Sequence, residues 1–321
     1  MKSIVVEKFG GPGVLREAEI ERPEPGPHEV LVRVSVAGVN FLDVYQRTGT
    51  TPLRPPFRAG VEGVGAVVAV GGEVTDLRAG QRVGWLTGGQ GSFSEFTVVD
   101  AAKAVPLPDD IDDETAAACL MQGVTAHYLT TDTYPVRPGD TVLVHAAAGG
   151  VGLMLTQMVR RLGGRVIGTT SSDAKAEIAR AAGADPVVGY ADTVETVREA
   201  TDGRGVAAAY DGVGATTFES SLAALRPRGV LVSYGASSGA PPPLDIARLN
   251  SGGSLYVTRP SVVHYTSTRA ELRARADDVF GWIGAGELTA TTSQRFPISR
   301  VRDAFTELEA RRTTGKVLLV R

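Results

Sequence analysis

The stretch TVLVHAAAGGVGLMLTQMVRRLGG, residues 141–164, decides the fold of this 321-residue chain. Its first four residues are apolar or β-branched and predict a short buried parallel strand. Residues 146–152 have almost no side chains, and apolar residues then recur at helical spacing from Leu155 to Leu162. Strand, bare turn and helix together predict a site where a pyrophosphate lies against backbone N–H groups at a helix N-terminus.

Short apolar strands alternate with helical segments from about residue 123 to residue 265. This alternation predicts an α/β domain with a doubly wound parallel sheet. The six strand segments lie at residues 141–144, 165–170, 185–190, 205–211, 229–235 and 254–258.

Residues 1–122 have a different, β-rich pattern, and Asp112 opens a helix at their end. Strands are predicted at residues 30–40, 63–71, 81–86 and 94–100. The C-terminal segment 266–321 ends in a predicted helix at 301–310 and a strand at 316–320. We expect this pair to lack a parallel partner strand of its own and to return to the first domain.

Composition and charge are those of an ordinary globular chain. Hydrophobic residues make up 43% and charged residues 21%, and a net charge of −3 gives no reason to expect nucleic acid or an anionic membrane as partner. No run approaches the ~18 apolar residues of a membrane span, and MKSIVVEKFGG lacks the apolar core of a signal peptide. Because Cys119 is the one cysteine, neither an internal disulfide nor a cysteine-based metal cluster can form. We therefore expect a cytoplasmic enzyme.

The bare turn reads Ala147-x-Gly149-x-x-Gly152, a dinucleotide-binding pattern with alanine at its first glycine position. Its place between a strand and a helix is the context that the pattern requires. A tight strand-to-helix turn without a ligand is the alternative.

The end of the second strand indicates which dinucleotide binds. NAD sites usually carry an Asp or Glu there, whereas this chain has GTTSS at 168–172 and no acid before Asp173. Asp173 fits the first turn of a helix, but Lys175 in the same turn opposes the helix dipole. A bound 2′-phosphate would reverse that sign, so the hydroxyls and Lys175 indicate NADPH. The alternative is a solvated surface lysine.

Six longer segments follow one another in an order that is itself informative. They are GVNFLDVYQRTG (38–49), AGVEGVGAVVAVG (59–71), HAAAGGVG (145–152), YDGVG (210–214), VSYGASSG (232–239) and SLYVTRPS (254–261). Over essentially the whole chain, they resemble the zinc-free, zeta-crystallin-like NADPH:quinone oxidoreductases of the medium-chain dehydrogenase/reductase superfamily. The resemblance implies a GroES-like β-rich substrate domain, residues 1–122 with 266–321, and a Rossmann dinucleotide-binding domain, residues 123–265. It also implies a homodimer joined through the sixth strand, residues 254–258.

The resemblance further implies a set of NADPH contacts. Asn40 and Tyr45 would face the nicotinamide. The other contacts would be Thr125 and Tyr128 near the nicotinamide ribose, Ala148, Gly149, Gly150 and Val151 at the pyrophosphate, Ser171, Ser172, Lys175 and Tyr190 at the adenosine phosphate, and Ser237, Ser238, Gly239, Arg259 and Arg311 elsewhere on the cofactor. Alternatively, Tyr45 and Tyr128 are core aromatics, Arg259 solvates a loop, and Arg312 replaces Arg311.

Zinc-dependent members of the superfamily carry metal ligands at positions that differ here. The position of their cysteine ligand falls near Val39-Asn40, and the position of their Gly-His-Glu motif reads Gly60-Val61-Glu62. We therefore expect no metal. We expect Glu62, without the histidine, to be a hydrogen-bonding structural residue. Without a Lewis acid, the substrate must accept hydride unaided, as quinones and activated enones or enals do. Asn40 would donate a hydrogen bond to the substrate oxygen or the carboxamide, and Tyr45 would protonate an oxyanion.

Two other functions remain open at this point. An enoyl or alkenal reductase would use the same cofactor, and an acyl-thioester substrate would want basic residues such as Arg47, Arg54 and Arg58 in a loop. A non-enzymatic NADPH- or RNA-binding protein is the other alternative, although the net charge disfavours RNA. A serine hydrolase is excluded, because the GASSG pattern at 235–239 precedes three prolines instead of a helix, and His145 is expected to be structural.

Overall fold

The structure is a computed structural model that describes residues 1–51 and 53–321. The chain divides into two compact units. Unit 1 comprises Met1–Met121, Thr266–Gly286 and Ala290–Arg321, and unit 2 comprises Gln122–Tyr265 and Glu287–Thr289.

The N-terminal part of unit 1 consists mainly of strands. In chain order its elements are β1 (Lys2–Val6), a 3₁₀ turn (Pro12–Val14), β2 (Leu15–Glu19), β3 (Glu29–Val39), α1 (Phe41–Thr48), β4 (Phe57–Arg58), β5 (Glu62–Val70), β6 (Arg82–Trp85), β7 (Phe96–Asp100), a second 3₁₀ turn (Ala101–Lys103), β8 (Val105–Pro106) and α2 (Asp113–Tyr128), which ends in unit 2. The four predicted strands are confirmed as β3, β5, β6 and β7. The predicted helix start is also confirmed, because the Asp112 carboxylate accepts a hydrogen bond from the Thr115 N–H at 2.7 Å.

Unit 2 contains the alternating segments. Its elements are a π-helical turn (Leu129–Thr133), β9 (Thr141–Val144), α3 (Gly150–Arg161), β10 (Arg165–Thr169), α4 (Asp173–Ala181), β11 (Val187–Val188), α5 (Thr193–Ala200), β12 (Val206–Asp211), α6 (Phe218–Ala223), β13 (Leu225–Ser233), α7 (Ala247–Ser251), β14 (Tyr256–Thr258) and α8 (Val262–Tyr265). The six strands form one parallel sheet in the order β11-β10-β9-β12-β13-β14, which confirms the doubly wound Rossmann topology. In this order the sequence neighbours β9 and β10 lie side by side, and the direction of winding reverses between β9 and β12.

The chain then completes unit 1 with α9 (Arg269–Gly284), β15 (Thr292–Pro297), a 3₁₀ turn (Ile298–Arg300), α10 (Val301–Glu309) and β16 (Lys316–Val320). The main sheet of unit 1 has the order β15-β16-β3-β5-β6-β8, and β7 also pairs with β3. The return of the C-terminal pair to the first domain is confirmed, since β16 pairs antiparallel with β3. The expectation that β16 has no parallel partner is wrong, because β15 pairs with it in parallel. Strand β15, TSQRFP, is polar and lies at the sheet edge, where no buried face imposes an apolar pattern.

Each unit has its own hydrophobic core. In unit 1, Trp85, Phe93 and Phe305 are fully buried, and the rings of Phe93 and Phe305 meet edge to face with centroids 6.1 Å apart. Phe305 belongs to α10, so the last helix contributes to the core that the first strands begin. In unit 2, the apolar residues of β9, β10 and β12 pack against α5 and α6, with Leu143, Ile167 and Val197 fully buried.

The helices of residues 1–51 and 53–321 bear on membrane insertion. None of them combines the length and the apolar character that a bilayer crossing requires.

Candidate active site

The glycine-rich loop joins β9 to α3 in unit 2. Ala146 adopts a positive φ of 50°, and the Gly149 N–H donates to the Ala146 carbonyl at 2.8 Å. Helix α3 begins with Gly149 as its N-cap residue, and no side chain of the described residues caps it. A Cβ atom on Gly152 would lie 2.4 Å from the Ala146 carbonyl oxygen, so the turn closes this tightly only with glycine there. The first-turn N–H groups of α3 therefore suit a pyrophosphate, as predicted for residues 148–151.

His145 immediately precedes this loop, and both of its ring nitrogens are hydrogen-bonded. Its ring is fully buried, with Nδ1 2.8 Å from the Thr169 hydroxyl and Nε2 3.0 Å from the Ser221 hydroxyl. Because Ser221 donates its own hydrogen to the Asp211 carboxylate at 2.8 Å, the network assigns the His145 proton to Nε2. Burial lowers the pKa of His145 to about 4, although the charge of Asp211 opposes this shift. Burial and hydrogen bonds on both ring nitrogens support the prediction that His145 is structural.

The carboxyl end of β10 lies beside the glycine-rich loop, since the Ala147 N–H donates to the Thr169 carbonyl at 3.0 Å. The Ser172 hydroxyl caps α4 and accepts from the Lys175 N–H at 3.4 Å. Ser171 and Ser172 are exposed and Lys175 is half-buried. The strand end thus offers hydroxyls and a cation where NAD-binding members of the fold place an acid.

Tyr190 follows β11, the next strand of the sheet beyond β10. Its ring stacks against that of His145 with centroids 6.0 Å apart. The structure therefore brings the predicted residues Ser171, Ser172, Lys175 and Tyr190 to the same edge of the sheet as the glycine-rich loop.

Two further loops, which follow β12 and β13, bind each other. The Ser238 hydroxyl donates to the Val213 carbonyl at 2.7 Å and accepts from the Thr216 N–H at 3.1 Å. The Asp211 carboxylate accepts from the N–H groups of Val213 and Gly214 at 2.8 and 2.9 Å. Ser237–Gly239 thus belong to a hydrogen-bonded loop pair at the carboxyl ends of the strands. Asp211 was not predicted as a site residue, although an acid at a strand end before Gly-Val-Gly was a visible signal.

The remaining predicted contacts of unit 2 lie on other elements. Arg259 follows β14 and its guanidinium lies 3.3 Å from the Ser233 hydroxyl. Tyr128, on α2, is 2% exposed and stacks on Tyr265 with ring centroids 4.3 Å apart, which supports the core-aromatic alternative for Tyr128. Thr125, one turn earlier on α2, is 8% exposed.

In unit 1, Asn40 lies in a buried polar cluster with Glu62 and Lys316. The Asn40 amide nitrogen donates to Glu62 Oε2 at 2.9 Å and to the Gly38 carbonyl at 3.2 Å. Lys316 Nζ donates to Asn40 Oδ1 at 2.8 Å and to Glu62 Oε2 at 2.5 Å. The Met121 N–H donates to Glu62 Oε1 at 2.9 Å. Glu62 is confirmed as a hydrogen-bonding residue, whereas Lys316 was missed because no sequence signal links it to Asn40.

Helix α1 carries Tyr45 just beyond this cluster. The helix begins after Asn40, whose N–H donates to the Asp43 carboxylate at 2.8 Å, and the Tyr45 ring lies 6.3 Å from that of Phe41. Burial raises the pKa of Asp43 to about 7, with Glu62 adding to the shift and Lys316 opposing it.

The expectation of a basic loop formed by Arg47, Arg54 and Arg58 is wrong for two of the three. Arg47 is 1% exposed within α1 and pairs with Glu309 at 2.5 Å, and Arg58 belongs to β4. Only Arg54 lies exposed in a loop. Arg47 is thus buried and paired with Glu309, so it does not belong to an exposed basic loop that could bind an acyl thioester.

Arg311 and Arg312 follow α10. The Arg312 guanidinium forms a two-pronged pair with the Glu307 carboxylate at 2.6 and 2.9 Å, and Arg311 adopts a positive φ of 56°. The ion pair holds Arg312 against α10, and the choice between Arg311 and Arg312 for the predicted contact stays a prediction.

Comparisons with known proteins agree with this geometry. Residues 26–109 match the alcohol dehydrogenase GroES-like domain, and residues 150–277 match the zinc-binding dehydrogenase family model. The chain is 45% identical to a quinone oxidoreductase of Pseudomonas aeruginosa over 322 residues, which covers 99% of both chains. The chain belongs to the zinc-free quinone oxidoreductases of the medium-chain dehydrogenase/reductase superfamily.

The chain is also similar to a quinone oxidoreductase with a solved structure and to a reductase named for a different substrate. The solved structure of Escherichia coli quinone oxidoreductase complexed with NADPH superimposes with a TM-score of 0.98, at 39% identity and with full coverage of both chains. A 2-haloacrylate reductase of Burkholderia sp. is 39% identical over 325 residues, with 98% of both chains covered. Within residues 1–51 and 53–321, no group of three or more His, Cys, Asp or Glu side chains is arranged to hold a metal ion.

Proposed function

We propose that this chain reduces quinones with NADPH as the hydride donor. The observation that carries the proposal is the carboxyl edge of the unit 2 sheet. There, a helix without a side-chain cap starts beside a strand end that offers Ser171, Ser172 and Lys175, and the first acid, Asp173, lies in the first turn of α4. Quinone oxidoreductase relatives with 39–45% identity support the acceptor, and the E. coli complex supports NADPH.

The residues of unit 2 fit the dinucleotide. The first-turn N–H groups of α3 suit the pyrophosphate, and Lys175 with the two serine hydroxyls suits the 2′-phosphate. When bound, NADPH supplies the hydride that a quinone accepts together with a proton, to form a hydroquinone. We infer that residues 123–265 act as the cofactor domain, and residues 1–122 with 266–321 as the substrate domain; these bounds differ from the two units only at residues 122 and 287–289, which lie in unit 2.

The residues of unit 1 act on the acceptor in this proposal. Tyr45 supplies a proton to the reduced oxygen. Asn40 orients the nicotinamide or the acceptor, but donation from its amide nitrogen would first break a bond to Glu62 or Gly38. The positioning of acceptor and hydride then carries most of the rate enhancement.

A second candidate function is the reduction of activated carbon–carbon double bonds. The similarity to the 2-haloacrylate reductase favours it, because that relative is as similar to this chain as several quinone oxidoreductases. An acyl-thioester substrate is disfavoured, because Arg47 is buried and paired.

The test measures NADPH oxidation by the purified protein against matched panels of quinones and activated alkenes, with NADH in parallel. We expect turnover with quinones and preference for NADPH. Turnover with alkenes alone would establish the second candidate, and NADPH binding without turnover of any acceptor would favour a binding protein.

We also infer a homodimer in the cytoplasm. The β14 edge of the unit 2 sheet exposes Tyr256 at 60% and Val257 at 37%, and Ile246 and Val263 nearby in sequence are 78% and 54% exposed. Apolar residues on an open sheet edge suit pairing with a second copy. The buried thiol of Cys119 agrees with a reducing compartment.

A further inference from the structure

We propose that Lys316 is a positioning residue for the reductase reaction, which acts by holding the Asn40 side-chain amide in one orientation. The inference rests on the proposed function, because Asn40 is the residue expected to face the nicotinamide. It assigns a role in the reaction to Lys316, which lies 276 positions from Asn40 in the sequence.

The first support is the burial of the cluster. Lys316 is 2% exposed, Glu62 is fully buried and Asn40 is 8% exposed. A buried lysine ammonium is costly to desolvate unless it is paired and hydrogen-bonded. Lys316 meets this requirement with Glu62 Oε2 and Asn40 Oδ1, so the ammonium is held at one place instead of sampling solvent.

The second support is the polarity of the partners on the two ends of the amide. An ammonium can only donate, so Lys316 selects the Asn40 oxygen, and a carboxylate can only accept, so Glu62 selects the Asn40 nitrogen. Turning the amide by half a rotation would place NH₂ against the ammonium and oxygen against the carboxylate. Lys316 and Glu62 therefore specify which Asn40 atom lies on which side.

The third support is the sheet that brings the three residues together. Strand β16 pairs with one edge of β3, with Val317 opposite Val39, and β5 pairs with the other edge, with Glu62 opposite Gly38. A Cβ atom on Gly38 would lie 2.5 Å from both Glu62 Oε2 and Lys316 Cε. The cluster is thus built over a glycine whose missing side chain leaves room for the ion pair beside Asn40.

The first experiment observes the amide itself, in protein labelled with ¹⁵N at asparagine and without cofactor. The Asn40 side-chain signals are identified by their loss in Asn40→Ala. In Lys316→Met we expect these signals to shift and their hydrogen exchange to accelerate about tenfold or more, because without the donor to Oδ1 the amide turns and its NH₂ group leaves Glu62 and Gly38 more often. Lys103→Met is the matched control, since Lys103 binds the Thr266 and Ser267 carbonyls of unit 1 outside the cluster. Unchanged Asn40 signals in Lys316→Met would overturn the proposal.

The second experiment is a double-mutant cycle on single-turnover hydride transfer to a quinone. We expect Lys316→Met to slow transfer by about 10- to 100-fold, the effect of a misplaced group, while the Kd for NADPH changes by less than about threefold. In the Asn40→Ala background the same substitution should cost less than about twofold, because Lys316 acts through Asn40. Multiplicative losses would show that Lys316 only supports the fold, and would overturn the proposal.

Lys316→Met leaves the Glu62 carboxylate buried without its cation and can prevent folding. The double variant Glu62→Gln, Lys316→Met removes both charges. Its melting temperature should lie within a few degrees of that of the wild type, while its hydride transfer should remain slower than that of the wild type. A double variant with wild-type rate would overturn the proposal. If the wild type reduces no quinone, the proposed function fails on its own, and the amide signals still decide whether Lys316 orients Asn40.

Discussion

Lys175 sits in the first turn of α4, at the positive end of the helix dipole. In the proposed complex it pairs with the 2′-phosphate of NADPH, a charge-assisted contact. Lys175→Ala should therefore raise the Kd for NADPH by about tenfold or more and leave the Kd for NADH within about twofold. Cofactor fluorescence titration measures both constants. Arg180→Ala, at the opposite end of α4, is the control, and an unchanged preference for NADPH in Lys175→Ala would remove Lys175 from the site.

His145 gives a pH dependence of stability with a defined sign. Burial lowers its native pKa from 6.5 to about 4, so between these values the unfolded chain binds more protons than the native one. This residue should therefore cost the protein about 3 kcal/mol of unfolding free energy as the pH falls from 6.5 to 4.

Urea unfolding at pH 7 and pH 5 tests the expectation for His145. The loss on acidification should be smaller in His145→Gln than in the wild type, and unchanged in His28→Gln, because the His28 side chain is 74% exposed. Asp43, whose burial raises its pKa to about 7, acts in the opposite direction but equally in all three proteins. Equal losses in all three would contradict the buried neutral state of His145.

At the scale of elements, the junction of β9 and α3 depends on close backbone approach. A Cβ on Gly152 would lie 2.4 Å from the Ala146 carbonyl oxygen, whereas nothing lies within 4 Å of a Cβ on Gly281 in α9. Both glycines are helical, so alanine gains about 0.5–1 kcal/mol of helix propensity at either site. Gly281→Ala should therefore be neutral or stabilising. Gly152→Ala should lower stability by about 1–3 kcal/mol and weaken NADPH binding. Thermal unfolding and NADPH titration of the two variants decide this, and wild-type behaviour of Gly152→Ala would contradict it.

The strands differ in how well sequence periodicity predicts them. Strands β3 and β5 are long and largely buried, so their apolar patterns were sufficient to predict them as strands. Strand β15 is polar and partly exposed, and β4 and β8 are two residues long. Such elements exist because a neighbouring strand supplies hydrogen bonds, and that neighbour is not visible in a local window.

At the scale of the whole molecule, the β14 edge should join two copies. Tyr256→Glu places a charge at a position that is 60% exposed in the single chain and buried in the proposed dimer. We expect the dimer Kd to rise at least about tenfold, because an unpaired charge would be buried. Light scattering after size-exclusion chromatography measures it. Phe9→Glu, at an exposed aromatic of unit 1, is the control, and a wild-type mass for Tyr256→Glu would contradict this interface.

The sequence by itself determined the order of elements and the parallel sheet of unit 2, and it predicted the place of the pyrophosphate. These features depend on local spacing: a strand, a bare turn and a helix lie within 24 residues of one another. The segment GTTSS at 168–172, with no acid before Asp173, is local in the same way, and it was sufficient to indicate NADPH.

Only the tertiary structure decided the surroundings of Asn40. Its partners, Glu62 and Lys316, lie 22 and 276 positions away and meet it because β5 and β16 pair with opposite edges of β3. The same holds for Arg47, which reads as a loop cation and proves to be buried beside Glu309. A single sequence does not show which residues at such separations are neighbours. Only the pairing of the strands brings them into contact.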